Sequence, residues 1–239
     1  MNRRDLLLAG AAATTGLGLG TLPAAPANAA PRPPRRPLRV HTVLYDGVEE
    51  QDFAGPVEVL GIIADQHGVT QSFVTADGPR TVTTFSGMEI RVRSPWSPRS
   101  ADVIVVPGGG LGEGSAVERQ IGRGVLPRAL AAARRPGLIL AGVCSGTLLL
   151  AAAGITNGRP CTTHHAAKED LRARGGRVVD GRVVDDGDLV TSGGVTSGID
   201  LALWLVERFY GAGTALFAEK VLEYERRGTV WRSDSRGGA

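Results

Sequence analysis

Lysine is almost missing from this chain: Lys168 and Lys220 stand alone among 27 basic residues, the rest being arginine. The formal net charge is only +3, and the arginines are scattered apart from Arg32, Arg35 and Arg36. A protein built to hold a polyanion gathers its cations on one face, so no nucleic-acid partner is expected. Cysteine is also scarce. Cys144 and Cys161 are too few for a disulfide framework and lack the paired spacing of a zinc site, and the four histidines do not repair that. No metal site is expected. A strongly apolar run is missing too: the stretch from Leu6 to Leu22 is diluted by glycine and ended by Pro23, whereas a membrane span needs about twenty apolar residues. What remains, with 42% hydrophobic and 21% charged residues in 239, is the composition of one globular domain with a short appendage.

The appendage is N-terminal. Asn2 to Leu8 reads N-R-R-D-L-L-L, followed by the weakly apolar run and by Ala27-Asn28-Ala29, the order of parts in a twin-arginine export signal cleaved after Ala29. The protein is therefore expected outside the cytoplasm, without membrane contact once the signal is removed. Residues 30–37, with prolines at 31, 33, 34 and 37, read as a stiff tail. The folded domain is expected over 38–226, and 227–239 as a flexible C-terminal tail.

Within the domain, Leu38 to Tyr45 is β-branched and apolar with Asp46-Gly47 behind it, which predicts a first, buried strand. A loop over Val48 to Gly55 follows, and Pro56 opens a helical pattern through Asp65. Gln71 to Ala76 predicts a second strand and Thr81 to Arg93 a hairpin. Asp102 to Val106 is an apolar strand ending in Pro107-Gly108-Gly109-Gly110. A helix over Ala116 to Arg134, a strand over Gly137 to Val143 and a helix over Ser145 to Ala153 come next. Two more strands are expected at Arg159 to Thr163 and Asp188 to Thr191, with a helix between them from Ala166 to Arg174. Helices over Thr196 to Tyr210 and Thr214 to Arg226 close the domain. Apolar strands alternating with helices imply a mostly parallel sheet covered on both faces, a doubly wound α/β fold in a single domain.

In such sheets ligands bind at the carboxyl ends of the strands, which directs attention to the turns after Tyr45, Val106, Val143 and Thr163. G-V-C-S-G, Gly142 to Gly146, lies between an apolar strand and an apolar helix, the context of a nucleophile elbow with cysteine in the serine place. At the first turn of a helix the free N–H groups favour an anion, so the Cys144 pKa is expected to be depressed. The glycine run after Val106 lacks phosphate-loop spacing. Beside a nucleophile it offers close-approach amides, and Gly109 with the amide of Ser145 forms a candidate oxyanion site. Asp52 closes the acidic loop Glu49 to Asp52 and, on composition alone, reads as a solvated acid or a cap of the helix at Pro56. His164 and His165 read as base, orienter or surface imidazoles, and Cys161 as a core side chain.

On D-x-x-G-P (Asp52, Gly55, Pro56), V-V-P-G-G (Val105 to Gly109), V-C-S-G (Val143 to Gly146), T-T-H (Thr162 to His164) and G-G-V-T-S-G-I-D (Gly193 to Asp200), the chain resembles the ThiJ/PfpI superfamily, whose fold is flavodoxin-like and class I glutamine-amidotransferase-like. The pattern is most similar to the isonitrile hydratase branch. That resemblance implies Cys144 as nucleophile, Asp52 as the acid facing it, His164 as the family's histidine and Gly109 as an oxyanion donor. It implies a cofactor-free hydration or hydrolysis of a small electrophilic carbon, isonitrile to N-substituted formamide, and a homodimer. A thiol redox sensor or stress-protective protein, and an amidase or peptidase, are the alternatives within the superfamily. Two positions depart from the branch: Ser145 stands where threonine is usual and keeps the hydroxyl, and His165 stands where tryptophan is usual and makes the pocket wall more polar. Some relatives carry a helix-turn-helix module, and none is expected after the last helix here.

Overall fold

The computed structural model describes residues 37–233, so the export signal and most of the Pro-rich tail lie outside the described residues, as does the end of the C-terminal tail. Seven strands form the main sheet: β1 (Arg39–Val43), β2 (Thr70–Val74), β5 (Val103–Val106), β6 (Ile139–Val143), β9 (Val183–Asp185), β10 (Leu189–Ser192) and β11 (Trp231–Arg232), in the spatial order β11-β9-β10-β6-β5-β1-β2. The pairs from β2 through β10 are parallel, while β9 runs antiparallel to β10. A separate antiparallel hairpin, β3 (Arg80–Thr83) with β4 (Glu89–Val92), meets the hairpin expectation.

Strand β5 shows why the central strands are apolar throughout. Val103 and Val105 face one core and Ile104 and Val106 the other, so no position along V-I-V-V meets water. The first core is roofed by α1 (Glu50–Ile62), α7 (Ser197–Tyr210) and α8 (Ala212–Leu222), through Val59, Leu60, Leu201, Leu205 and Ala215. The second is roofed by α3 (Ala116–Arg123), α4 (Val125–Ala133) and α5 (Gly146–Ala152), through Val117, Leu126, Leu130 and Leu149. The expectation of a single-domain, doubly wound, mostly parallel α/β sheet is borne out.

Several boundaries differ, each for a local reason. Helix α1 begins at Glu50, six residues before Pro56, so Asp52 sits in its first turn with Glu49 as N-cap and is not the cap itself. Pro56 is accommodated inside the helix, where it forfeits one helical hydrogen bond. The span expected as one helix, Ala116 to Arg134, is two, because Gly124 takes the left-handed conformation (φ 67°) that ends α3. Arg159 to Thr163 contributes only β7 (Pro160–Cys161), which pairs with β8 (Arg177–Val178) in a ribbon outside the main sheet. The helix expected at Ala166 to Arg174 narrows to α6 (Lys168–Ala173) behind a 3-10 turn. Trp231 and Arg232, placed in the flexible tail, pair in parallel with Val184 and Asp185 of β9, and Arg232 lies over the Trp204 ring.

The strand order reverses between β1 and β5. A crevice at that reversal, outside the carboxyl ends of the strands, is where this architecture gathers its chemistry.

Candidate active site

Three connections meet at that crevice: α1 after β1, the glycine run after β5 and the elbow after β6. Cys144 has φ 56°, a left-handed conformation that costs a non-glycine residue free energy and persists only when its surroundings impose it. They do so from both sides. The Cys144 N–H donates to Gly193 O at 3.0 Å, and its carbonyl accepts from Thr163 Oγ1 at 2.7 Å. Close approach completes the elbow: a Cβ on Gly146 would lie 2.0 Å from Val106 O, so helix α5 can start this near β5 only with glycine there.

Asp52 is fully buried, and its Oδ2 accepts from Gly108 N at 2.8 Å while Oδ1 has no partner. Its carboxyl stands against the Cys144 thiol, and each group shifts the other's ionisation. Burial pushes the Asp52 pKa up to about 7, the Gly108 N–H pulling the other way and the charge of Glu49 adding to the rise. Cys144 is pushed up to about 12, by burial first and by the Asp52 charge second. The expected depression is thus overturned. The amides of Val195 and Ser145 do favour the thiolate, but desolvation and a neighbouring carboxylate outweigh them. The two groups form one acid–thiol pair whose last proton stays bound far above neutrality.

Gly109 does not face the thiol as an open donor. Its N–H donates to Ser145 Oγ at 3.2 Å, which ties the glycine run to the elbow. The amides directed at the sulfur belong to Ser145 and to Val195, itself held at φ 40°. Gly108, adjacent to the anticipated residue, is the more constrained: a Cβ there would lie 2.4 Å from Ser145 Oγ and 2.8 Å from Asp52 Oδ2. His164 lies against Gly194, where a Cβ would come within 2.4 Å of the ring, and its ring centroid is 4.2 Å from that of His165. Among the described residues no hydrogen bond joins it to Cys144 or Asp52. Cys161 is buried in the second core, with its pKa pushed up to about 11 by burial. Among the described residues no group of three or more potential metal ligands assembles.

Tyr45 was not singled out by spacing, and only its position at the end of an apolar strand could have drawn attention to it. Buried at the end of the first strand, it donates its phenol to Pro107 O at 2.8 Å. That carbonyl and the Gly108 N–H bonded to Asp52 belong to one peptide group, so the tyrosine polarises the donor that holds the carboxylate. Tyr45→Phe is expected to cost about 1–2 kcal/mol in urea unfolding. It should also move the acid limb of any pH–rate profile to higher pH, since a weaker Gly108 donor leaves Asp52 harder to ionise. An unmoved limb would reduce Tyr45 to packing.

Fold and geometry together define a flavodoxin-like α/β protein with a buried acid–thiol pair, its cysteine on a tight strand-to-helix turn. Residues 38–208 match the DJ-1/PfpI family, and the chain belongs to it. It is 35% identical over 190 residues to an isonitrile hydratase of Pseudomonas putida, covering 78% of each chain. To a Parkinson disease protein 7 homolog of Danio rerio it is 31% identical over 183 residues, 74% of this chain and 92% of the relative. Among solved structures, a ThiJ/PfpI family protein from Pseudomonas syringae superposes with a TM-score of 0.70 at 26% identity, over 80% of this chain and 77% of that one.

Proposed function

We propose that this protein is a cofactor-free cysteine enzyme that adds water to a small electrophilic carbon, with an isonitrile as substrate and an N-substituted formamide as product. The observation that carries the reading is the buried pair of Asp52 and Cys144, a nucleophile stored with its own proton beside a carboxyl able to move it. The 35% identity to an isonitrile hydratase supports the substrate class. Twin-arginine export, expected from the sequence, and a homodimer, implied by the family resemblance, belong to the same proposal.

The steps balance without an added group. As Cys144 Sγ bonds to the terminal carbon, the Asp52 carboxylate takes the thiol proton and passes it to that carbon, giving a protein-bound thioimidate. Water then adds to the carbon. One of its protons goes to nitrogen, the other returns to sulfur as the C–S bond breaks, and the formamide leaves. The Ser145 and Val195 amides stabilise negative charge on sulfur as it enters and departs. A sensor role draws less support from the same site, because oxidation favours an exposed thiol and Cys144 is buried.

Turnover on a panel of isonitriles, amides and α-oxoaldehydes tests the reading, and formamide release from isonitriles is the expected result. The active pair holds one proton, so kcat/KM should rise by about tenfold per pH unit below about 7 and stay level above it. A rate that falls as pH passes 7 would instead require protonated Asp52 and would remove the proton shuttle. No turnover on any isonitrile would remove the substrate assignment.

A further inference from the structure

A cleft of about 380 Å³ opens beside the elbow. Two of its walls are shared with the nucleophile: Val195, whose amide faces the sulfur, and Thr163, which holds the Cys144 carbonyl. Lys168 and Arg182 also line it. The acids nearest to these cations do not neutralise the cleft equally. Asp200 is buried and its charge is met threefold, by Arg182 Nε at 2.6 Å, Tyr224 OH at 3.0 Å and Arg227 N at 2.9 Å. Arg182 Nη1 makes no hydrogen bond among the described residues. Asp180, paired with Lys168 Nζ at 2.6 Å, has a side chain 96% exposed, so that pair lies open to water and to exchange.

A neutral donor completes the lining. His164 accepts from Ala166 N at Nδ1, 3.2 Å, and burial together with His165 lowers its pKa, so the neutral ring carries its proton on Nε2 as a donor. Lys168, Arg182 and the His164 ring thus bring two cations and an N–H donor to a cleft whose lining contributes one carboxylate, the water-exposed Asp180, and which shares Val195 with the Cys144 site, a composition suited to a carboxylate.

We propose that this cleft takes a carboxylate of the substrate, making the preferred substrate a small electrophile that carries a carboxylate, not a purely apolar isonitrile. The proposal rests on Cys144 as nucleophile, and not on hydration as the reaction.

Alkylation of Cys144 separates the two. Iodoacetate and iodoacetamide are nearly the same size, and each forms a C–S bond with expulsion of iodide, but only the first is an anion. The rate with iodoacetate divided by that with iodoacetamide, read by mass spectrometry at pH 8 and low salt, reports the field of the cleft. In Lys168→Gln the ratio is expected to fall about three- to tenfold relative to wild type. In Asp180→Asn, which frees Lys168, it is expected to rise by a similar factor, and salt on the order of 0.5 M should collapse both differences. Loss of fold would change both reagents' rates together and cancel in the ratio, with circular dichroism as a check. A ratio that is the same in all three proteins overturns the carboxylate site, and labelling that maps only to Cys161 removes the nucleophile on which it rests. Neither result depends on whether isonitriles are turned over.

Discussion

Asp52→Asn is expected to make the protein more stable and nearly inactive at once. In the unfolded chain this carboxyl ionises near 3.8, whereas in the folded protein burial lifts it to about 7. Between those values the native state binds the extra proton, so the group's contribution to stability falls as pH rises from about 4 to about 7. The interval, at about 1.4 kcal/mol per pH unit, bounds the gain on removing the charge at roughly 4 kcal/mol above pH 7. Asparagine keeps the shape and an oxygen for the Gly108 N–H at 2.8 Å, but gives up the charge-assisted bond and must place an NH2 beside the thiol. A net gain of about 1–3 kcal/mol in urea unfolding at pH 8, shrinking toward zero near pH 4, is the expected balance. Turnover should meanwhile fall by about 10²–10⁴-fold, because the amide cannot carry the proton from sulfur to carbon. Unchanged turnover would end the shuttle mechanism. A loss of stability at pH 8 would show that the carboxylate is not under a desolvation penalty.

Cys144→Ser is expected to abolish turnover with little change in fold. The two side chains are close in size, and the constraints on the φ 56° elbow act through backbone groups and Thr163, which the substitution leaves in place. What changes is the nucleophile. An alcohol is harder to deprotonate than a thiol and far less nucleophilic toward carbon at neutral pH, so a loss of at least about 10³-fold is expected. Thiol labelling should drop at the same time, since the remaining Cys161 is fully buried. Steady-state turnover, the urea midpoint and the mass of the labelled protein form the test. Wild-type turnover in the serine variant would move the chemistry away from the elbow.

Much of this was legible in the sequence, for reasons particular residues show. V-I-V-V at β5 and I-L-A-G-V at β6 are apolar at every position because both faces are roofed, and that pattern survives in one dimension. Cys144 was legible because an elbow needs small residues within a few positions of the nucleophile, and Gly142 and Gly146 are local in the chain. The order of motifs, from Asp52 to Gly193, carried the family.

Other features depend on contacts between distant segments, which spacing does not encode. Trp231 and Arg232 form a strand only because β9 offers an edge to pair with, and Asp52 lies in a helix because tertiary packing starts α1 ahead of Pro56. The amide of Gly109 turned toward Ser145 because the two connections meet in space. The decisive case is the thiol. Locally, a cysteine at a helix N-terminus should ionise easily, and the amides of Ser145 and Val195 do push that way. Its pKa rises because the fold removes water from the site and sets Asp52, from another turn of the sheet, against the sulfur. The sequence by itself determined the sheet, the elbow and the residues that could react. Only the tertiary structure decided their protonation, because desolvation and charge–charge energies depend on three-dimensional distance and on excluded water.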